Sequence, residues 1–332
     1  MYRRTIILFL IFLIFSCCSC SNETDPDYLP TFESINADEN TLYFVNISNN
    51  KIHKIYAIDI KDEKKIYTYE FDRRKFTNVI SDLVYDASFD INPYIIFMNG
   101  DALKLDVRSG KLVKFNIDYF AGSLAIVDNK LWITPSGPGL ENTPVDYFTY
   151  NPKNNKTDYI TIPGGEFFGS WGIINNNIYL SLNFEDSYSK IYNLTNDKMI
   201  SKDIFEQDYY VYTFFCNNYL FAWYSSAEKA DDAYFVKSFE PTIDYNYLFS
   251  TDTDELTFVT MFENNDFIYL VSREYVIKRD KKNNYNVEKI VRFNNKISFG
   301  FYCRNGYIWL TSEEDEGAYK VNMDDLSYEI IK

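Results

Sequence analysis

One corner motif recurs along this chain at a spacing of a little over forty residues, and it constrains the fold more than any other feature. Tyr150-Asn151-Pro152-Lys153-Asn154-Asn155-Lys156 is one copy, and others open at Asp59, Asp106, Asn193, Asp280 and Asn322. The opening Asp or Asn can bond the backbone two residues on. A later Asn, Asp or Gly accepts the positive φ of a tight reversal. The flanks, such as Leu103-Lys104-Leu105 and Leu112-Val113-Lys114-Phe115, are aromatic or β-branched and roughly alternating. The motif therefore joins two strands.

A second set of corners precedes these: Glu39-Asn40, Asn92-Pro93, Asp128-Asn129, Asn175-Asn176, Asn217-Asn218, Asn265-Asp266 and Asn305-Gly306. All but the Pro93 member read as two-residue hairpin loops. An apolar triplet follows each, as in Leu131-Trp132-Ile133 and Ile308-Trp309-Leu310. The mean interval of about 44 residues is that of four-stranded propeller blades. The expected fold is all-β, a β-propeller of four-stranded antiparallel blades, seven in number, with six or eight as alternatives. Each unit has strands a to d, with the two-residue corner between a and b and the opening motif between c and d. Unit one runs from about Thr31 to Phe71, with its a strand ahead of Glu39. Periodicity is poorest around unit two. The ring is expected to close by packing, with no strand exchanged between its ends. Stacked sheets need bulky residues on both faces, which accounts for 30 Tyr and 28 Phe.

Residues 1–19 read as a lipoprotein signal peptide. Arg3 and Arg4 precede an apolar run from Thr5 to Phe15, too short to span a membrane as a helix. Ile14-Phe15-Ser16-Cys17 resembles a bacterial lipobox, with Cys17 the expected lipidation site and Cys20 the alternative. Residues 20–30 form an acidic tether, and 31–332 a single propeller domain. The expected location is the cell envelope, as an outer-membrane lipoprotein on its periplasmic side or at the cell surface, touching the membrane only through the lipid. The net charge of −15 argues against a nucleic-acid partner, because a phosphate-binding surface clusters Lys and Arg. A monomer is expected.

The corner Asp106-Val107-Arg108-Ser109-Gly110-Lys111 resembles that of YVTN and quinoprotein-like propellers. The whole layout is similar to TolB-like and six-to-eight-bladed propeller lipoproteins of bacteroidetes, whose acidic segment after the lipid-bearing Cys resembles Ser21 to Asp27. The resemblance implies a fold and carries no activity.

Chemistry-bearing residues are sparse. His53 is the sole histidine, which excludes a multi-histidine zinc site within one chain. Cys216 and Cys303 fall on inner strands two units apart, too far for a disulfide, and read as buried free thiols. Trp132 and Trp309 occupy a repeated packing position. Trp171 on an inner strand, and Trp223 at the start of a b-to-c loop, are candidates to stack on a ligand such as a sugar. The longer b-to-c and d-to-a connections share the face opposite the corners and are rich in carboxylates, among them Glu166, Asp186 and Asp232. These five residues are the candidate ligand-binding set. No catalytic residue, metal ligand or cofactor is assigned; Ca²⁺ would be the cation for such carboxylates, but no Asp-x-Asp-x-Asn-Gly loop is present. The expected function is non-enzymatic binding of a ligand or partner protein, a glycan or an envelope protein, through the long-loop face. The alternative is a glycan-active hydrolase or lyase using carboxylates at the channel mouth.

Overall fold

A computed structural model of the protein describes residues 34–48, 52–70, 80–97, 99–136, 144–163, 167–183, 189–200, 210–216, 219–226, 229–238, 244–251, 258–294, 297–312 and 317–332. Strands β1 (Thr41–Ser48), β2 (Ile52–Asp59) and β3 (Lys64–Glu70) form a three-stranded antiparallel sheet. Six four-stranded meanders follow. The first is β4 (Ile80–Asp86), β5 (Asp90–Phe97), β6 (Ala102–Asp106) and β7 (Lys111–Lys114). The second is β8 (Ala121–Val127), β9 (Lys130–Pro135), β10 (Pro144–Asn151) and β11 (Lys156–Pro163). The third is β12 (Phe167–Ile174), β13 (Asn177–Asn183), β14 (Ser189–Asn193) and β15 (Lys198–Ile200). The fourth is β16 (Tyr210–Cys216), β17 (Tyr219–Ser226), β18 (Lys229–Ser238) and β19 (Asp244–Thr251). The fifth is β20 (Phe258–Glu263), β21 (Phe267–Ser272), β22 (Tyr275–Asp280) and β23 (Asn286–Arg292). The sixth is β24 (Ile297–Arg304), β25 (Tyr307–Ser312), β26 (Ala318–Asn322) and β27 (Tyr328–Ile331).

The first strands of neighbouring blades pack on one another: β4 on β8, β8 on β12, β12 on β16, β16 on β20, and β24 on β4. They line the centre, and apolar layers lie between blades. Trp132, Tyr147, Leu180 and Tyr192 join the second and third blades. Tyr269, Ile308, Leu310 and Tyr319 join the fifth and sixth.

The expectation of seven four-stranded blades fails: among the described residues there are six. Unit one lacks its inner strand among the described residues. Residues 34–38 form no strand, and Ser34-Ile35-Asn36-Ala37-Asp38 is poor in the β-branched and aromatic residues that sheets favour. The Ile35 N–H is instead donated to the Val107 carbonyl at 2.9 Å, in a corner of the first blade. The three-stranded sheet is thus a wedge between the sixth and first blades, with β1 packed against β24 and β4, which also touch each other. Tyrosines fill the junction. The Tyr43 and Tyr85 rings meet edge-on with centroids 4.7 Å apart, and Tyr302 donates to the Tyr43 carbonyl. Each sheet is contiguous in sequence, so among the described residues the ring closes by packing with no exchanged strand.

The long corners fold as expected. The opening side chain accepts from a backbone N–H two or three residues on, as in Asn151 Oδ1 from Lys153 (3.0 Å), Asp280 Oδ1 from Lys282 (2.8 Å) and Asn322 Oδ1 from Asp324 (2.8 Å). Each turn then ends left-handed, at Glu63, Gly110, Asn155, Asp197, Asn284 and Leu326. Asp128-Asn129, Asn175-Asn176 and Asn305-Gly306 have φ between +47° and +80° and are tight hairpins. Asn92-Pro93 is not a corner. It lies inside β5, and the reversal is at Ala87-Ser88-Phe89, with Asp86 Oδ1 accepting from Ser88 N at 2.8 Å. Pro93 fits there because the β4–β5 register shifts between Val84 and Asp86, where no ladder donor is needed. Asn217-Asn218 lies outside the described residues.

A second feature locks adjacent corners together. Lys104, Lys278 and Lys320 each stand two residues before the opening Asp or Asn of a corner. Lys104 lies 5.8 Å from the Tyr150 ring of the next blade, Lys278 donates to the Asp324 carbonyl, and Lys320 reaches Glu63 at 2.8 Å. In every case the contact is with the long corner of the following sheet. These corners therefore share one end of the ring, and the antiparallel meander sends the other connections to the opposite end.

Candidate functional site

Each inner strand is a sheet edge whose centre-facing backbone groups have no ladder partner and must be satisfied otherwise. Asp82 does this between β4 and β8. Its Oδ2 accepts the Leu124 N–H at 2.7 Å, across the joint between two blades. The residue is half-buried, and burial pushes its carboxyl up to about 6, against the opposing pull of the Leu124 and Leu83 N–H groups. The inner wall thus carries a carboxyl that changes charge close to neutrality. Sequence reading missed it by searching loops for acids. The available signal was a charge in the alternating set Ile80-x-Asp82-x-Val84, which is otherwise apolar.

Around the wall, Ser123 N and Oγ lie 3.0 and 2.8 Å from the Oγ1 of fully buried Thr134. On β12, Ser170 Oγ is buried with no partner among the described residues. Gly172 lets β12 approach β16 so closely that a Cβ on it would sit 2.6 Å from the Phe215 ring. Burial raises the phenols of Tyr43, Tyr85 and Tyr302, so they stay neutral donors.

Of the candidate binding residues, Trp171 is half-buried on β12, opposite Leu180, and its side chain belongs to the packing between the second and third blades. Trp223 does not open a loop: it lies within β17, paired with Tyr212 and Ala233. Asp232 lies within β18, paired with Tyr224 and Ser250. Tyr224 follows Trp223 directly, so the Trp223 and Asp232 positions fall on opposite faces of the blade. Glu166 and Asp186 lie outside the described residues, as do Cys17 and Cys20. His53 is in β2, opposite Ile47. Cys303 is a free thiol, exposed rather than buried, with Sγ 3.5 Å from Met323 Sδ. Among the described residues no cluster of three His, Cys, Asp or Glu could hold a metal ion, and no helix is long and apolar enough to cross a membrane.

No protein-family description matches the chain, and no curated protein sequence does. Solved structures do. A catalytically inactive virginiamycin B lyase from Staphylococcus aureus with quinupristin, in which a histidine is replaced by alanine, aligns over 76% of this chain and 84% of its own, at 12% identity and a TM-score of 0.53. The β-propeller domain of Cps50 (Swd1) from Myceliophteria thermophila aligns over 91% and 99%, at 6% identity and a TM-score of 0.53. Identities this low establish the fold alone, and with the six meanders and their central strands they make this chain a β-propeller.

Proposed function

We propose that the protein is an envelope-anchored β-propeller that binds a ligand or partner protein through the end opposite its corners. The supporting observation is the contrast between the two ends. At the corner end, polar side chains are engaged by their own turns and by the lysine contacts between sheets. Several connections leaving the other end are longer, and those between β13 and β14, β19 and β20, and β25 and β26 carry the acidic runs Glu185-Asp186, Asp252-Thr253-Asp254-Glu255 and Glu313-Glu314-Asp315-Glu316. Function in β-propellers is set by such grafted loops rather than by the scaffold. Calorimetric titration and pull-downs with glycans and envelope proteins test the reading. A partner whose affinity falls at least tenfold when the connection carrying Glu185 and Asp186 is made neutral supports it; turnover of any substrate overturns it.

A second reading, a glycan-active hydrolase or lyase, draws on Asp82, whose carboxyl at about 6 suits acid or base work. The lyase similar in fold is described as catalytically inactive with a histidine replaced. Here the one histidine, His53, stands on the wedge sheet rather than on an inner strand, so carboxylates would have to serve instead. A polysaccharide cleaved by the wild type and spared by Asp82→Asn supports this reading, and an inert wild type across a broad panel removes it.

A further inference from the structure

We propose that the corner end of the ring is its membrane-proximal face, so that the acidic end points away from the bilayer; the assignment rests on the lipid anchor proposed above. Two independent observations converge on it. The first is the path by which the chain enters the fold. Ile35 donates to Val107 in the Asp106–Lys111 corner, Ile35 and Ala37 pack on the buried cluster beneath, and Tyr85 Oη donates to the Asp38 carbonyl at 3.5 Å. The Asp38–Asn40 turn then starts β1. The chain therefore crosses the corner end before the first strand begins.

Reach favours the orientation that this entry gives. Residues 20 to 34 span at most about 50 Å at full extension. A strand of seven residues, the length of β4, is about 23 Å long. Turning the acidic end to the bilayer would commit about half of that reach to running back past a blade. Keeping the corner end inward needs none of it.

The second observation is the distribution of charge. At the corner end several acids are matched locally, Asp62 with Lys64 at 3.1 Å, Asp266 with Lys282, Glu63 with Lys320 at 2.8 Å and Asp86 with Arg304 at 3.9 Å, while exposed Asp38, Glu39, Asp128, Asp324 and Asp325 also lie there. Lys61, Arg108, Lys111, Lys153, Lys156 and Lys198 are exposed there as well. The net charge of −15 is therefore weighted toward the other end. Anionic headgroups attract exposed Lys and Arg and repel carboxylates, so the field of the bilayer and the entry path favour the same orientation.

The test uses the full chain carrying its lipid, reconstituted on phosphatidylethanolamine and phosphatidylglycerol vesicles. Lysine acetylation is read by mass spectrometry against the same chain in detergent. Lys153, Lys156 and Lys198 report the corner end. Lys114, paired with Asp101 at 2.7 Å, and Lys190, at the start of β14, report the other. Labelling of the corner lysines is expected to fall about fivefold on vesicles while Lys114 and Lys190 change less than twofold. Equal protection, or stronger protection of Lys114 and Lys190, overturns the orientation and leaves the anchor standing. A chain that does not float with vesicles overturns both, while ligand titration continues to test the binding end separately.

Discussion

Lys320 Nζ lies 2.8 Å from Glu63 Oε1 and 2.9 Å from Glu329 Oε1, joining the last blade to the wedge sheet at the start of the chain. The lysine is 8% exposed, and its ammonium also stands 4.4 Å from the Tyr307 ring centre. Both acids are largely in solvent, so the link is a screened one. Lys320→Met is expected to lower stability by about 1–2 kcal/mol, and Glu63→Gln by less than about 1 kcal/mol. Thermal melts of the two variants and of the pair give the coupling; no loss in Lys320→Met would show that packing alone closes the ring.

Asp82 makes stability depend on pH. Its carboxyl moves from an ordinary 3.8 to about 6 on folding, so the folded state holds its proton more tightly than the unfolded state. Its favourable contribution is complete below pH 3.8, declines as pH rises, and is gone above about 6. Asp82→Asn keeps an acceptor for the Leu124 N–H without the charge. It is expected to flatten this dependence and to be more stable at pH 7 by about 1–2 kcal/mol. Denaturant midpoints from pH 4 to 7.5 decide it, and parallel profiles for the two proteins would refute the burial of that carboxyl.

Gly172 controls how closely the third and fourth blades approach. An added methyl would meet Phe215 at 2.6 Å, so Gly172→Ala should destabilise by about 1–3 kcal/mol through overpacking. Phe215→Leu in the same chain should recover part of the loss. Additive losses in melting experiments would mean that the two residues do not touch.

Gly306 offers the complementary case. It has φ +80° at the Asn305-Gly306 corner, and nothing stands within 4 Å of where a Cβ would be. Gly306→Ala therefore tests backbone strain without crowding, with an expected loss of about 1 kcal/mol. A loss as large as that of Gly172→Ala would point to a neighbour that approaches this turn.

The corners were legible because turn chemistry is local. Asn151, Asp106 and Asn322 act within three residues of themselves, and their order gives the meander directly. Asn92-Pro93 misled because the pair has the composition of a turn. Its role is longer in range: Asn92 Oδ1 accepts the Val107 N–H at 3.0 Å, in the corner that follows the neighbouring strand, while Pro93 sits at a register shift. The count of four-stranded blades failed at the first unit for a similar reason. A strand exists only where a partner edge is available, and Ile35 gives its N–H to another sheet. Asp82 was invisible because its burial arises only when blades pack together, where its hydrogen-bond donor Leu124 lies 42 residues away and one blade over. Trp171 was placed correctly on an inner strand, yet its packing between two blades depends on neighbours the repeat does not specify.

The Ile35–Val107 hydrogen bond also has a mechanical meaning. A pull on the chain ahead of Ser34 meets this bond first, then the Asp38 turn beneath Tyr85, and only afterwards the first residue of β1. Load entering from that side is therefore passed to the blade β4–β7 before it can peel the three-stranded sheet from its seat. The sheet with the fewest strands among the described residues is shielded from the force that its own chain delivers.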